Sequence, residues 1–145
     1  IASLYADLPL VFSDASLKRQ GGIAAVLFAT ADSPPMIASQ SQPLTGSNEL
    51  ELQASLFAMQ QAAQHFPGLA FALFSDNQDA IERLQQAQNS SLEDDGALSA
   101  LLCAHELHDV LQRVQFRWIK GHATCRGNHL ADQHARQAAI HHAAS

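Results

Sequence analysis

The chain has 145 residues, 47% of them hydrophobic, which suits one ordinary domain with a real core. No apolar run nears the roughly 18 residues that span a bilayer, and "IASLYADLPL" lacks the basic start of a secretory signal, so the sequence reads as cytoplasmic with no membrane partner. With 8 Lys plus Arg against 14 Asp plus Glu, the net charge of −6 taken alone argues against a nucleic-acid binder, which needs clustered cations.

The first elements are strands. "LPLVFS", "GIAAVLFAT" and "PMIASQSQ" are short apolar or alternating runs separated by the turn-prone "DASLKRQGG" and "ADSPP", which predicts an antiparallel meander. "SNELELQASLFAMQQAAQHF" then shifts to helical period, with Ser47 or Asn48 as cap and Pro67-Gly68 as terminator. "LAFALFSD" reads as a fourth strand and "NQDAIERLQQAQ" as a second helix. After the polar break "NSSLEDDG" come a third helix, "ALSALLCAHELHDVLQ", a fifth strand, "VQFRWIKG", and a last helix, "NHLADQHARQAAIHHAA". The order β-β-β-α-β-α-α-β-α, without repeats or linkers, predicts one α/β domain over residues 1–145 with a five-stranded mixed sheet. Cys103 and Cys125 are too few for a disulfide framework, which points to a reducing compartment. The first residue is Ile, as expected of a piece processed or excised from a longer chain.

Four carboxylates occupy places where they need explaining. Asp14 and Asp76 each end a predicted strand, where adjacent strands would bring them together; the plain alternative is a turn for Asp14 and a helix cap for Asp76. Glu51 shares a helical face with Ala54, Ser55, Ala58 and Ala62, a small-residue face suited to close packing on the sheet, where a lone charge is costly. Glu49, half a turn away, reads as a solvated first-turn acid. Asp132 sits beside Ala131, Ala135 and Ala139; its plain reading is a surface pair with Arg136. Carboxylates converging on one patch need cations, and hard oxygen ligands select Mg²⁺, with Mn²⁺ as a substitute. Two such ions about 3.5–4 Å apart support in-line phosphodiester displacement.

The motifs "SDAS", "LELQA", "SDNQ" and "KGHATCRGNHLAD" stand in the order and at the spacing of the ribonuclease H type 1 family, and the chain resembles that family from about Leu8 to Ala143. The resemblance implies the RNase H-like fold and an endonuclease that hydrolyses the RNA strand of RNA/DNA hybrids with two Mg²⁺ ions. It implies Asp14, Glu51, Asp76 and Asp132 as metal ligands, and His122, in a Gly-flanked loop, as the residue assisting proton transfer or product release. By the same resemblance Asn48 and Gln78 contact the hybrid and Asn128 supports the ligands from behind; Lys120 and Arg126, which flank the His122 loop, are the cations placed to meet phosphates, and Ser16, close to Asp14, is a further substrate contact. The segment "RGNHLADQHARQAAI" is similar to the end of RNase H domains fused to retroviral reverse transcriptases; a polymerase partner would then supply much of the grip, in a virion or replication complex.

Two departures stand out. Ala15 follows Asp14 where the family often has Gly, a change small enough to keep the site. The stretch "LEDDGALSALL" lacks the basic helical protrusion with which many members hold the hybrid. Cys125, His129 and His134 do not have the paired spacing of a zinc site, and Trp118, alternating with Phe116, reads as core. Alternatives to the nuclease reading are a catalytically idle module of the same fold used for binding or assembly, and another nuclease or strand-transfer enzyme of the superfamily. The intact acidic set argues against the first and the late Gly-His loop against the second.

Overall fold

The computed structural model describes residues 8–89, 95–120 and 126–140. Strands β1 (Leu10–Leu17), β2 (Gly21–Phe28) and β3 (Met36–Gln42) form the expected antiparallel meander. Two further strands, β4 (Phe71–Ser75) and β5 (Val114–Trp118), add in parallel, β4 against β1 and β5 against β4. The result is a five-stranded mixed sheet in the order β3-β2-β1-β4-β5.

The period-2 alternation of the strands divides the core into two layers. Val11, Ile23, Leu27, Leu73 and Phe116 face helices α1 (Ser47–His65), α2 (Gln78–Asn89), α3 (Gly96–Ala104) and α4 (His108–Leu111). Leu10, Phe12, Val26 and Phe74 face the other way, toward α5 (Arg126–Ile140). On that side the rings of Phe12 and Phe74 stack with centroids 4.9 Å apart. No helix among the described residues is long and apolar enough to cross a membrane.

Three details differ from the sequence reading. β1 continues past Asp14 to Leu17, paired with β2 throughout, so the turn shrinks to Lys18–Gln20 and Lys18 lies about 13 Å along the strand from Asp14. The single helix expected before β5 is two, because Glu106 adopts a left-handed conformation at φ 57°. Leu107 N–H then donates to Leu102 O and Glu106 N–H to Cys103 O, a Schellman ending with Leu102 and Leu107 both buried in the core. Finally, α1 begins without a side-chain cap; Gly46 occupies the position expected of Ser47 or Asn48. Asp95, by contrast, caps α3 by accepting from Leu98 N–H and binds Arg83 through two guanidinium contacts, tying α2 to α3.

Close approach of α5 to the sheet depends on Gly22. A Cβ there would lie 2.1 Å from the carbonyl oxygen of Ala135 and 2.4 Å from the nitrogen of Ala139, backbone atoms that cannot swing aside. Gly22→Ala is therefore expected to cost about 2–3 kcal/mol and to lower the melting temperature by roughly 8 °C. A thermal melt that matches the parent protein would show that α5 can ride outward freely.

Candidate active site

β1 and β4 pair only from Leu10 to Phe12 on the β1 side and Ala72 to Phe74 on the other. Beyond that point β1 keeps its β2 partner and loses its β4 partner, so Asp14 stands where the sheet opens. Asp76 follows the last residue of β4, two positions after Phe74 as Asp14 is two after Phe12. Glu51 arrives from α1, whose small face is fully buried at Ala54, Ser55, Ala58 and Ala62. Ser55 Oγ lies 3.4 Å from Ser13 Oγ, which fixes the first turns of α1 close to β1.

The outcome is a carboxylate triad. Asp14, Glu51 and Asp76 each offer an oxygen, and these oxygens lie within 4.8 Å of one another. Asp76 is not the cap of α2: Asn77 is, its Oδ1 accepting the N–H of Ala80 at 2.8 Å. The cap reading of Asp76 is thereby replaced.

Crowding and burial show in the acidities. The Asp14 carboxyl is pushed up to about 7 by burial, by the charge of Asp76 and by Asp132, against a lowering bond from Ala15 N–H. Burial, then the charges of Asp14 and Asp76, push Glu51 up to about 9. Glu51 Oε2 is buried with no hydrogen-bond partner. An unpartnered carboxylate oxygen beside two further acids is costly unless a cation completes it, and the all-oxygen donor set fits a hard divalent ion.

A family model described as RNase H matches residues 8–140. The chain belongs to the RNase H family. Its RNase H fold is similar to the N-terminal RNase H domain of rv2228c from Mycobacterium tuberculosis, solved as a maltose-binding-protein fusion, with a TM-score of 0.67, 18% identity, and 90% of this chain and 92% of that one covered. It is also similar to LC11-RNase H1 in complex with RNA/DNA hybrid, with a TM-score of 0.61, 15% identity, and 90% and 98% covered. Against the protease-reverse transcriptase of prototype foamy virus the TM-score is 0.69 at 20% identity, covering 98% of this chain and 22% of that one. No curated protein matches the chain.

Around the triad of this RNase H chain the other predicted residues divide. Asp132 faces Asp14 closely enough to raise its pKa by charge and hydrogen bonding, yet it lies outside the convergent triad. Arg136 holds it from α5, Nε donating to Oδ1 and Nη2 pairing with Oδ2, each at 3.2 Å. The surface pair and the approach to Asp14 thus coexist. Asn128 is buried in the first turn of α5 with Oδ1 unpartnered.

Asn48 bridges the starts of α1 and α2, donating to Asp79 Oδ2 at 3.4 Å and accepting from Asn77 Nδ2 at 3.3 Å. Gln78 is exposed and donates to Glu82 Oε1, Lys120 is exposed, and Ser16 is half-buried on β1. The Arg126 guanidinium lies 5.7 Å from the centroid of the Phe28 ring, in cation–π range. His122 and Cys125 lie outside the described residues. Trp118 is not core: it is 43% exposed and donates its indole N–H to the carbonyl of Asp76. Sequence period could not reveal this, because alternation assigns a residue to a face and does not say how far that face is covered.

Proposed function

We propose that the chain is a metal-dependent endonuclease that hydrolyses the RNA strand of RNA/DNA hybrids, working with two Mg²⁺ ions, for which Mn²⁺ can substitute. The observation that carries the reading is the convergence of Asp14, Glu51 and Asp76 with Glu51 Oε2 unpartnered and buried. Asp14, Glu51 and Asp76 would hold a cation together, with Asp132 reaching a second from the Asp14 side. Bound divalent ions would supply an activated water and charge stabilisation at the leaving oxygen. The protein's own task is to keep four acids in place at a site where their mutual repulsion opposes folding.

Recognition of a hybrid needs phosphate contacts from one strand and 2′-hydroxyl contacts from the other. Asn48, Gln78 and Ser16 are neutral groups suited to the hydroxyl side, and Lys120 and Arg126 to phosphates. Asn128 would support Asp132, and His122, by family resemblance, would move the proton or release product. The hybrid bound to LC11-RNase H1 supports the substrate class. The likeness to the foamy virus enzyme supports a polymerase partner, which also suits a chain of net charge −6.

A gel assay of labelled RNA/DNA hybrid beside RNA duplex and DNA duplex tests this. Hybrid alone should be cut, with Mg²⁺ and not with chelator, leaving 5′-phosphate and 3′-hydroxyl ends. Equal cutting of all three duplexes, or full activity in chelator, would refute the assignment; a folded protein inert on hybrid under every metal would favour the idle module.

A further inference from the structure

In β5, Val114 and Phe116 are buried on the face covered by α1 to α4, whereas Trp118, two residues further along the same face, is 43% exposed. Burial therefore does not account for where this indole rests. Its Nε1–H donates to the backbone carbonyl of Asp76 at 3.1 Å. That carbonyl and the N–H of Asn77 belong to one peptide unit, and the N–H donates to Ser75 Oγ, also at 3.1 Å. The peptide that follows the Cα of Asp76 is thus held at both ends.

The holding groups are themselves fixed. Ser75 is fully buried, lies opposite Trp118 in the β4–β5 register, and accepts the N–H of Ile119 at 2.9 Å. On the far side of the same peptide, Asn77 caps α2 and donates to Asn48 at the start of α1. β4 ends at Ser75, so Asp76 lies just beyond the ladder, and tipping of the 76–77 peptide would swing its carboxylate away from Asp14 and Glu51. An ångström of misplacement is enough to matter in such a constellation.

We infer that Trp118 is a positioning residue, whose indole N–H clamps the 76–77 peptide and so aims the Asp76 carboxylate at the cation shared with Asp14 and Glu51. The part that concerns the cation rests on the proposed function. The clamp itself is a property of the metal-free protein.

The chain contains a single tryptophan, so its biosynthetic replacement by benzothienylalanine changes one atom group in the whole protein, sulfur for the indole N–H. Trp118→Phe provides a genetically encoded second variant. Loss of one hydrogen bond is expected to speed exchange of the Asn77 amide in metal-free protein about three- to tenfold and to weaken Mg²⁺ binding, read by calorimetry, by a similar factor. The Mg²⁺ concentration giving half-maximal cleavage of hybrid should rise in step, with kcat at saturating Mg²⁺ kept within about twofold, since metal added in excess restores occupancy. A merely structural role would lower stability without moving the Mg²⁺ midpoint. Unchanged Asn77 exchange and unchanged Mg²⁺ affinity in the benzothienylalanine protein would overturn the inference. A parent protein that neither binds Mg²⁺ nor cleaves would overturn the cation assignment instead, while the exchange rates still decide the clamp.

Discussion

Asp76→Asn is expected to lower cleavage of hybrid at saturating Mg²⁺ by about three orders of magnitude, the rate equivalent of losing several kcal/mol of metal-borne charge stabilisation. Asparagine keeps the shape of the side chain and one oxygen, and it removes the charge. Because Asn77 caps α2, the substitution leaves the helix start intact, so a loss of activity cannot be assigned to a frayed helix. The same charge pushes up both Asp14 and Glu51, so the variant should also be more stable than the parent in chelator, with a melting temperature higher by a few degrees. Activity and metal-free stability thus move in opposite directions. Asp76→Asn protein that cleaves within tenfold of the parent would remove Asp76 from the metal site.

The sequence announced the acids more clearly than it announced their setting. Asp14 read as a strand end because Asp is rare in strands, yet the strand runs on to Leu17. What ends beside Asp14 is the pairing with β4, a long-range event that no local pattern encodes. Glu51 was legible because the four small residues that share its face allow only one close-packed side of α1. The break after α3 was hidden because glutamate fills the left-handed position that glycine usually marks. Asp76 and Asn77 are equally good caps by type, and only the folded chain decides which one bends back to the helix. Trp118 looked like core because alternation predicts which face a strand residue takes and says nothing of where the covering layer stops.

Metal-free protein should lose stability steadily as pH rises from about 5 to about 9, and Mg²⁺ should abolish most of that loss. Asp14 and Glu51 have folded pKa values of about 7 and about 9, raised from 3.8 and 4.5. Below the unfolded values both states hold their protons and the site costs nothing. Between the unfolded and folded values the unfolded chain releases protons that the folded chain keeps, so stability falls with pH, and the full penalty stands above the folded values. A tenfold difference in acidity between the folded and unfolded chain corresponds to about 1.4 kcal/mol. The two carboxyls titrate as a pair, so their contributions do not simply add, and a loss of roughly 3–5 kcal/mol, near 12 °C in melting temperature, is expected. Mg²⁺ at a hundred times its dissociation constant restores about 2.7 kcal/mol. Because the ligands must be deprotonated to bind, Mg²⁺ uptake at pH 7 should release between about one and two protons, seen as a dependence of calorimetric heat on the ionisation enthalpy of the buffer. Glu51→Gln should flatten the pH profile and reduce that release. A metal-free melting temperature that stays level or rises across this range would mean that the triad carboxylates are solvated, and the assignment of Glu51 Oε2 as a cation ligand would fall with it.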